Sequence, residues 1–316
     1  MITDNPMQRI RHKTTLDRLK KYFRQYWIFY LLLLPALLDV FIFKYLPIYG
    51  VQIGFRDYMA RRGIWGSDWV GLKYFFQFVN SPNFLQIMRN TVLLSVYNLL
   101  FGFPIPIILA FVINEIRRHS FKKITQMITY MPHFISMVAV VGLINLVLDR
   151  QSGLVNIILK GFGSGGISFL SMQSAYRTIY VVSEIWQHAG WGTIIYLAAL
   201  AGVDAEVVEA ARIDGASRYQ KIRYVDFPTI LPTIIILLIL RAGSVLNIGF
   251  EKVFLLQNDL NRDVSEIIAT YTYRLGILNG QFSYTTAIGM FNNLVNATVL
   301  LFVNGLARKF GETSLW

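Results

Sequence analysis

Six long apolar stretches constrain this chain more than any other feature of its sequence. A helix needs about 20 consecutive apolar residues to cross the hydrocarbon core of a bilayer. Only 15% of the 316 residues are charged, which is too few for the surface of a typical soluble domain. We therefore predict an all-α integral membrane protein with six transmembrane helices. The apolar stretches are 27–43, 92–113, 124–148, 179–201, 229–249 and 286–306.

The net charge of +12 is concentrated at the ends of alternate stretches. Short segments rich in Lys and Arg stay on the cytoplasmic side of a membrane. More than half of the 30 Lys and Arg lie in 1–25, 115–123, 202–228 and the last ten residues, so we predict that these segments and both termini are cytoplasmic. Residues 1–25 would form a basic arm on the anionic membrane lipid, 26–308 a six-span domain and 309–316 a cytoplasmic tail. Membrane orientation then accounts for the positive charge, which is therefore no indication of a nucleic-acid partner.

Several kinds of chemistry have no support in the sequence. The chain contains no cysteine, so the sequence predicts neither disulfides nor a thiolate metal site. The histidines at positions 12, 119, 133 and 188 have no metal-ligand or catalytic-triad spacing. A Gly-x-x-x-x-Gly-Lys-Ser/Thr loop, which would bind ATP phosphates, is absent from the sequence. We therefore predict a chain that is not an enzyme, with no catalytic residue, metal or cofactor of its own.

The cytoplasmic segment 202–228 has the pattern of two short helices. Asp204 is a good N-cap for the first helix, and Gly215 interrupts it. A capping box at Ser217 opens the second helix, which Pro228 is expected to end just before the fifth span. These features leave two interpretations open. The segment is either an ordinary interfacial hairpin or a mechanical coupler that a soluble partner pushes.

The same segment contains Glu209-Ala210-Ala211 followed by Asp214-Gly215-Ala216. This motif resembles the "EAA" loop of permease subunits in bacterial ATP-binding-cassette (ABC) importers. In that family the loop forms a coupling helix that sits in a groove of the ATPase subunit. The resemblance implies a bundle like the type I importer permeases, with these six residues at the ATPase contact. The chain has Phe227 before Pro228, where the family usually has leucine, and this implies only a local change in the turn.

Other motifs extend the resemblance over residues 26–308. They are YLPIYG at 45–50, RNT at 89–91, YMPHFIS at 130–136, GWG at 190–192 and GFE at 249–251. Together they resemble the polysaccharide or complex-sugar permeases of the carbohydrate-uptake class. The resemblance implies import of an oligo- or polysaccharide by alternating access. It also implies a second permease subunit, two ATPase subunits that bind ATP and Mg²⁺, and an extracellular or periplasmic sugar-binding protein.

Polar and tryptophan side chains recur inside three of the predicted spans, where unsatisfied polar groups are costly. One interpretation is that they line a cavity that binds sugar hydroxyls, with tryptophan as a stacking face. The alternative, that they join neighbouring helices, stays open for each of them. Either an acidic sugar or Glu184 is a candidate partner of Arg241. The candidates are Glu184, Trp186, His188 and Trp191 in the fourth span, Arg241 and Asn247 in the fifth, and Asn292, Asn293 and Asn296 in the sixth.

Other functions remain compatible with the sequence. The same fold can import another polar solute, such as glycerol phosphate or a peptide. A membrane enzyme acting on lipid-linked sugars would need a cluster of acidic or basic residues near the interface, and the sequence shows no convincing one. A standalone secondary carrier usually has internal pseudo-symmetry and more spans. The importer subunit therefore remains the leading hypothesis.

Overall fold

The computed structural model describes residues 15–163, 165–310 and 314. Residues 1–14 of the predicted basic arm and most of the predicted tail lie outside the described residues. Helices dominate because a backbone in lipid must satisfy its own hydrogen bonds, and an α-helix does so within one segment. The α-helices are α1 (Thr15–Val40), α2 (Lys73–Val79), α3 (Phe84–Tyr97), α4 (Pro104–Asn114), α5 (His119–Tyr130), α6 (Met137–Leu148), α7 (Leu154–Gly161), α8 (Gln173–Leu200), α9 (Ala205–Ile213), α10 (Arg218–Lys221), α11 (Phe227–Ala242), α12 (Phe250–Leu256), α13 (Arg262–Ser265), α14 (Ile268–Thr272) and α15 (Phe282–Phe310).

Shorter helical segments of other types connect several of these helices. The 3₁₀ segments are Leu46–Phe55, Met131–Phe134 and Phe169–Ser171. The π-helical segments are Phe41–Tyr45, Asn98–Gly102, Ile222–Asp226 and Tyr273–Leu278. Isolated π turns inside helices are frequent at functional sites, and one of these, Asn98–Gly102, lines the pocket described below.

Four described helical stretches are long and apolar enough to cross a membrane, and a fifth is possible if one bent pair is a single span. The four are Tyr22–Phe55, Phe84–Asn114, Arg218–Ala242 and Phe282–Lys309; the bent pair is His119–Phe134 with Met137–Leu148, at 99°. The four stretches coincide with the predicted spans one, two, five and six, and the bent pair coincides with the predicted span three. The six-span count and the cytoplasmic position of both termini stay predictions.

The predicted fourth span is the 28-residue helix α8, which at about 1.5 Å per residue is long enough to cross a bilayer. It is not among the strongly apolar stretches. Arg177, Glu184, Gln187 and His188 all lie on α8 and lower its mean hydropathy. Helices α4, α5 and α11 pack around α8, so these polar groups need not face lipid.

The helix that leaves segment 202–228 differs from the sequence prediction. The π turn Ile222–Asp226 joins α10 to α11, so the helix continues from Arg218 to Ala242. The expectation that Pro228 ends a separate short helix is therefore wrong. Pro228 lies in the first turn of α11, where proline is tolerated, and the preceding π turn supplies the change in hydrogen bonding.

The aromatic segment after the first span is ordered and contains a short hairpin. Strands β1 (Arg56–Asp57) and β2 (Asp68–Trp69) pair antiparallel, with Arg56 opposite Trp69. The Arg56 guanidinium lies 5.4 Å from the ring centre of Trp65 and 5.5 Å from that of Trp69. Its Nη1 also donates a 2.8 Å hydrogen bond to the Ser67 carbonyl. Cation–π contacts and the hydrogen bond thus fix this hairpin.

Two glycines let neighbouring helices pack closely against α8. A Cβ added to Gly190 would overlap the carbonyl oxygen of Thr129 in α5. A Cβ added to Gly192 would lie 3.1 Å from carbons of the Pro106 ring in α4. Small residues at such crossings allow helices to pack backbone against backbone in a membrane. The glycines of the GWG motif therefore set the position of α4 and α5 relative to α8.

We expect Gly190→Ala to destabilise the protein by about 1–3 kcal/mol, because the added methyl overpacks the contact with Thr129. Thermal unfolding of the detergent-solubilised protein measures the effect as a lower Tm. Gly142 in α6 is the matched control, because a Cβ added there meets open space. Gly142→Ala should be neutral or slightly stabilising, since alanine favours helix over glycine. Equal melting temperatures for the two variants would contradict the close packing.

Candidate functional site

A polar pocket lies between the second, fourth and fifth predicted spans. Its larger part has a volume of about 450 Å³, within the range of small-ligand sites. A cavity of about 130 Å³ shares Asn98, Glu184 and Arg241 with it, so the two form one polar pocket. The π turn Asn98–Gly102 contributes Asn98 to both parts. The polar and aromatic lining residues are Ser95, Asn98, Phe103, Tyr180, Glu184, His188, Trp191, Tyr196, Arg241, Ser244 and Asn247.

The acidic side chain of this pocket is already paired. Glu184 Oε2 lies 3.0 Å from Nζ of Lys252, whose side chain is fully buried. Glu184 Oε1 lies 3.5 Å from Nε2 of His188, one helical turn further along α8. The Lys252 ammonium cancels the Glu184 charge, and removing either partner would leave a buried charge without compensation.

Arg241 is the cation of the pocket that has no such partner. In the part of the chain that the structure describes, no carboxylate oxygen lies within ion-pair distance of its guanidinium. The suggested pairing of Arg241 with Glu184 is thus not formed, because Lys252 takes that position. The pocket is left with a positive charge and with hydrogen-bonding groups from Asn98, Ser244 and Asn247.

The break in the bent third helix pair contacts this pocket. His133 Nδ1 lies 3.0 Å from His188 Nδ1, and the His133 ring stacks on Trp191 with ring centres 4.6 Å apart. Gln187 Nε2 donates a 3.2 Å hydrogen bond to the Ile135 carbonyl, which the helix break frees. His133 therefore covers one face of Trp191, and the Phe134 ring packs edge-on against the same side chain with ring centres 5.4 Å apart.

The sixth-span asparagines join helices. Asn247 Oδ1 accepts hydrogen bonds from Asn292 Nδ2 at 2.9 Å and from Asn296 Nδ2 at 3.1 Å. Asn296 Oδ1 accepts a further bond from the Leu246 N–H at 3.0 Å. Asn293 is exposed on α15. Of these asparagines only Asn247 lines the polar pocket as described, so the observed contacts of α15 fit the helix-joining alternative.

Trp186 also lies apart from the pocket. It lines an apolar groove of about 700 Å³ between α6 and α8, on another face of α8. Among the fourth-span candidates, the structure thus brings together Glu184, His188 and Trp191. Whether any of these residues contacts a solute stays a prediction. The described residues contain no group of three or more His, Asp or Glu placed to hold a metal ion.

Segment 202–228, which we call the elbow, has the short first helix and the turn at Gly215 that its sequence predicted. The Asp204 side chain accepts a 2.9 Å hydrogen bond from the Glu206 N–H and so caps α9. Gly215 has φ +75°, a conformation that suits glycine. Its N–H and that of Ala216 close the end of α9 in a Schellman motif. The capping box at Ser217 is present, and it opens the helix that runs into the fifth span.

The motif residues of the elbow lie on its accessible surface. Glu209, Ala210, Asp214 and Gly215 are exposed, and Ala211 and Ala216 are half-buried. The side chains of Ile213 and Tyr219 are exposed at 81% and 75%. Exposed apolar side chains of this size occur on surfaces that a partner protein or the membrane covers.

Sequence reasoning missed two partners in the pocket. Lys252 directly follows the GFE motif, and its side chain is buried against Glu184. The sole available signal was its position directly beside that motif. His133 contacts His188 and stacks on Trp191, and the stacking partner could not be foreseen from the sequence.

Comparisons with known proteins agree with this architecture. The family described as "Binding-protein-dependent transport system inner membrane component" matches residues 102–312. Protein LplB of Bacillus subtilis (strain 168) is 45% identical over 293 residues, covering 93% of this chain and 92% of LplB. The polygalacturonan/rhamnogalacturonan transport system permease protein YteP of the same organism is 44% identical over 287 residues, covering 91% and 89% of the two chains.

Solved structures show the same fold. A chain in the crystal structure of a bacterial alginate ABC transporter, in complex with an alginate pentasaccharide-bound periplasmic protein, superposes with a TM-score of 0.85 at 38% identity. The match covers 94% of this chain and 100% of that one. A second crystal structure, of a bacterial ABC transporter involved in the import of the acidic polysaccharide alginate, gives a TM-score of 0.84 at 38% identity, covering 93% and 99% of the two chains.

Apolar helices around a polar pocket, with an exposed elbow at one end, define a membrane transport protein. The chain belongs to the family of binding-protein-dependent transport system inner membrane components. It is accordingly a multi-pass permease subunit of an ABC transporter in the inner membrane, and its family is one of transport components.

We expect Lys252→Met to reduce the stability of the folded protein by about 3–5 kcal/mol, because Glu184 would stay buried without a cation. The double variant with Glu184→Gln should recover most of this loss. Lys73→Met is the control, because Lys73 forms an exposed 3.9 Å ion pair with Asp57 and should cost at most about 1 kcal/mol. Melting temperatures and the monodisperse fraction report the outcome. Equal effects of the two single variants would show that the buried pair has no special role.

Proposed function

We propose that this chain is the subunit through which an ATP-driven importer moves acidic oligosaccharides across the cytoplasmic membrane. The unpaired Arg241 guanidinium carries the proposal. In the polar pocket, as far as the chain is described, the carboxylate of Glu184 is neutralised by Lys252, so the charge of Arg241 is left for a solute. A guanidinium can bind a sugar carboxylate through two parallel hydrogen bonds.

Other features of the pocket support a sugar. Asn98, Ser244 and Asn247 supply donors and acceptors for hydroxyl groups, and Trp191 has one face free of His133. The relatives support an acidic one. YteP is named for polygalacturonan, a polymer of uronic acid, and the superposed structures concern alginate, an acidic polysaccharide. As an importer permease, the chain would have the six predicted spans, with both termini in the cytoplasm.

We also propose that segment 202–228 couples the pocket to ATP hydrolysis. The exposed Ile213 and Tyr219 side chains on the elbow support this role, because an ATPase subunit would cover them. Two such subunits would bind ATP and Mg²⁺, and their closure would push α9. A second permease would complete the pathway, and a binding protein would deliver the sugar on the other side. The pocket would then open to the two sides of the membrane in turn.

Reconstitution of the assembled complex in proteoliposomes tests the substrate class. We expect Arg241→Gln to lower uptake of uronate oligosaccharides about 10- to 100-fold, because one charge-assisted contact is lost. Uptake of neutral oligosaccharides of equal length should be unchanged. The exposed Arg61→Gln variant is the control for loss of a positive charge. Equal losses for acidic and neutral sugars would overturn the role of Arg241, and a wild-type complex without ATP-driven uptake would overturn the importer.

Co-purification tests the coupling segment. Gly215→Val should reduce the amount of ATPase subunit that purifies with the chain several-fold, because a branched residue is strained at φ +75° and would distort the end of α9. Gly280→Val is a matched control: Gly280 has φ +70° and equally open surroundings, but it lies just before α15. Equal retention of the ATPase by both variants would argue against coupling through this elbow.

A further inference from the structure

Three charged side chains meet where the elbow joins the end of the second span. Lys221 Nζ lies 2.5 Å from Glu115 Oε1 and 3.3 Å from Asp226 Oδ2. The side chains of Lys221, Glu115 and Asp226, which we call the ion triad, are 14%, 20% and 2% exposed. Both contacts are ion pairs between largely buried side chains, where water weakens the attraction little.

The π turn Ile222–Asp226 explains why two members of the ion triad come together on one helix. Residues five apart in an α-helix point to different sides. In the π turn the Phe227 N–H instead bonds to the Ile222 carbonyl five residues earlier. This wider turn brings the Asp226 carboxylate to the side of the helix that carries Lys221. Lys221 and Asp226 thus form one unit on the helix that leaves the elbow.

Glu115 belongs to a different part of the molecule. It directly follows α4 and caps the end of the second span. Helix α4 packs on α8 at the contact between Pro106 and Gly192, and Pro106 also lines the polar pocket. The Lys221–Glu115 ion pair therefore links the elbow directly to the second span, which forms one wall of the pocket.

We infer that the ion triad transmits movement of the elbow to the second span, and that Glu115 is a positioning residue for coupled transport. Chain continuity already connects the elbow to the fourth and fifth spans. The second span has no such covalent connection to it, and Lys221 supplies a non-covalent one. Because the three side chains are largely buried, salt screens this connection little. The inference rests on the proposed coupling role of segment 202–228.

Glu115→Gln is the variant that separates the link from folding. Two carboxylates share one ammonium, so removing the charge of Glu115 leaves a balanced Lys221–Asp226 pair. Removing Lys221 would instead leave two carboxylates without a cation, which is expected to impair folding. Lys221→Arg keeps the charge and should keep the link.

The experiment measures ATP hydrolysed per sugar imported by the assembled complex in proteoliposomes, with the binding protein present. We expect Glu115→Gln to raise this ratio about 3- to 10-fold, because elbow movement no longer reaches the second span fully. Lys221→Arg should keep the wild-type ratio. Glu251→Gln is the control, since Glu251 is exposed and forms no ion pair among the described residues. A merely structural role would lower the yield of complex without changing its ratio.

A wild-type ratio in the Glu115→Gln complex would overturn the inference, and so would an equal rise in the Glu251→Gln control. Neither result would affect the proposed function, since the wild-type complex would still couple hydrolysis to uptake. A wild-type complex that imports sugar without hydrolysing ATP would overturn the proposed function and this inference with it.

Discussion

An ionised side chain inside a bilayer is stable only with a partner or with water, and this constraint organises the middle of the molecule. Lys252 is fully buried and cancels the charge of Glu184 at 3.0 Å. Arg241 has no carboxylate partner in the described chain and lines the polar pocket instead. The pocket therefore holds a positive charge that a solute anion can neutralise. Charge balance, more than the shape of the cavity, is the reason for proposing an acidic sugar as the solute.

The walls of that pocket are connected to the elbow at three points, two through the chain and one through an ion pair. Helix α8 ends at Leu200, directly before the elbow. The helix that starts at Arg218 continues to Ala242 and carries the pocket residue Arg241. The second span reaches the elbow through Glu115 and the ion triad. Because α4 and α8 pack closely at Gly192, a displacement of one helix is expected to displace the other. A push on α9 would thus reach all sides of the pocket.

Local features of the chain could be predicted from its sequence, and long-range pairings could not. The caps at Asp204 and Ser217, the turn at Gly215 and the Glu184–His188 contact depend on residues a few positions apart. The Lys252–Glu184 pair joins residues 68 positions apart and depends on how the helices pack. The same is true of the direction of Trp186, which follows from the rotation of α8 against its neighbours. The continuation of the helix past Pro228 required the π turn, for which the sequence has no clear signal.

The accessibility of a single cysteine in the pocket would show whether nucleotide binding changes the side of the membrane to which the pocket opens. The chain has no native cysteine, so Asn98→Cys places one thiol where both parts of the pocket meet. A membrane-impermeant maleimide added outside should label it several-fold faster when the assembled complex is trapped with ATP and vanadate than when it is nucleotide-free. Equal labelling in the two states would contradict a pocket driven by the ATPase subunits.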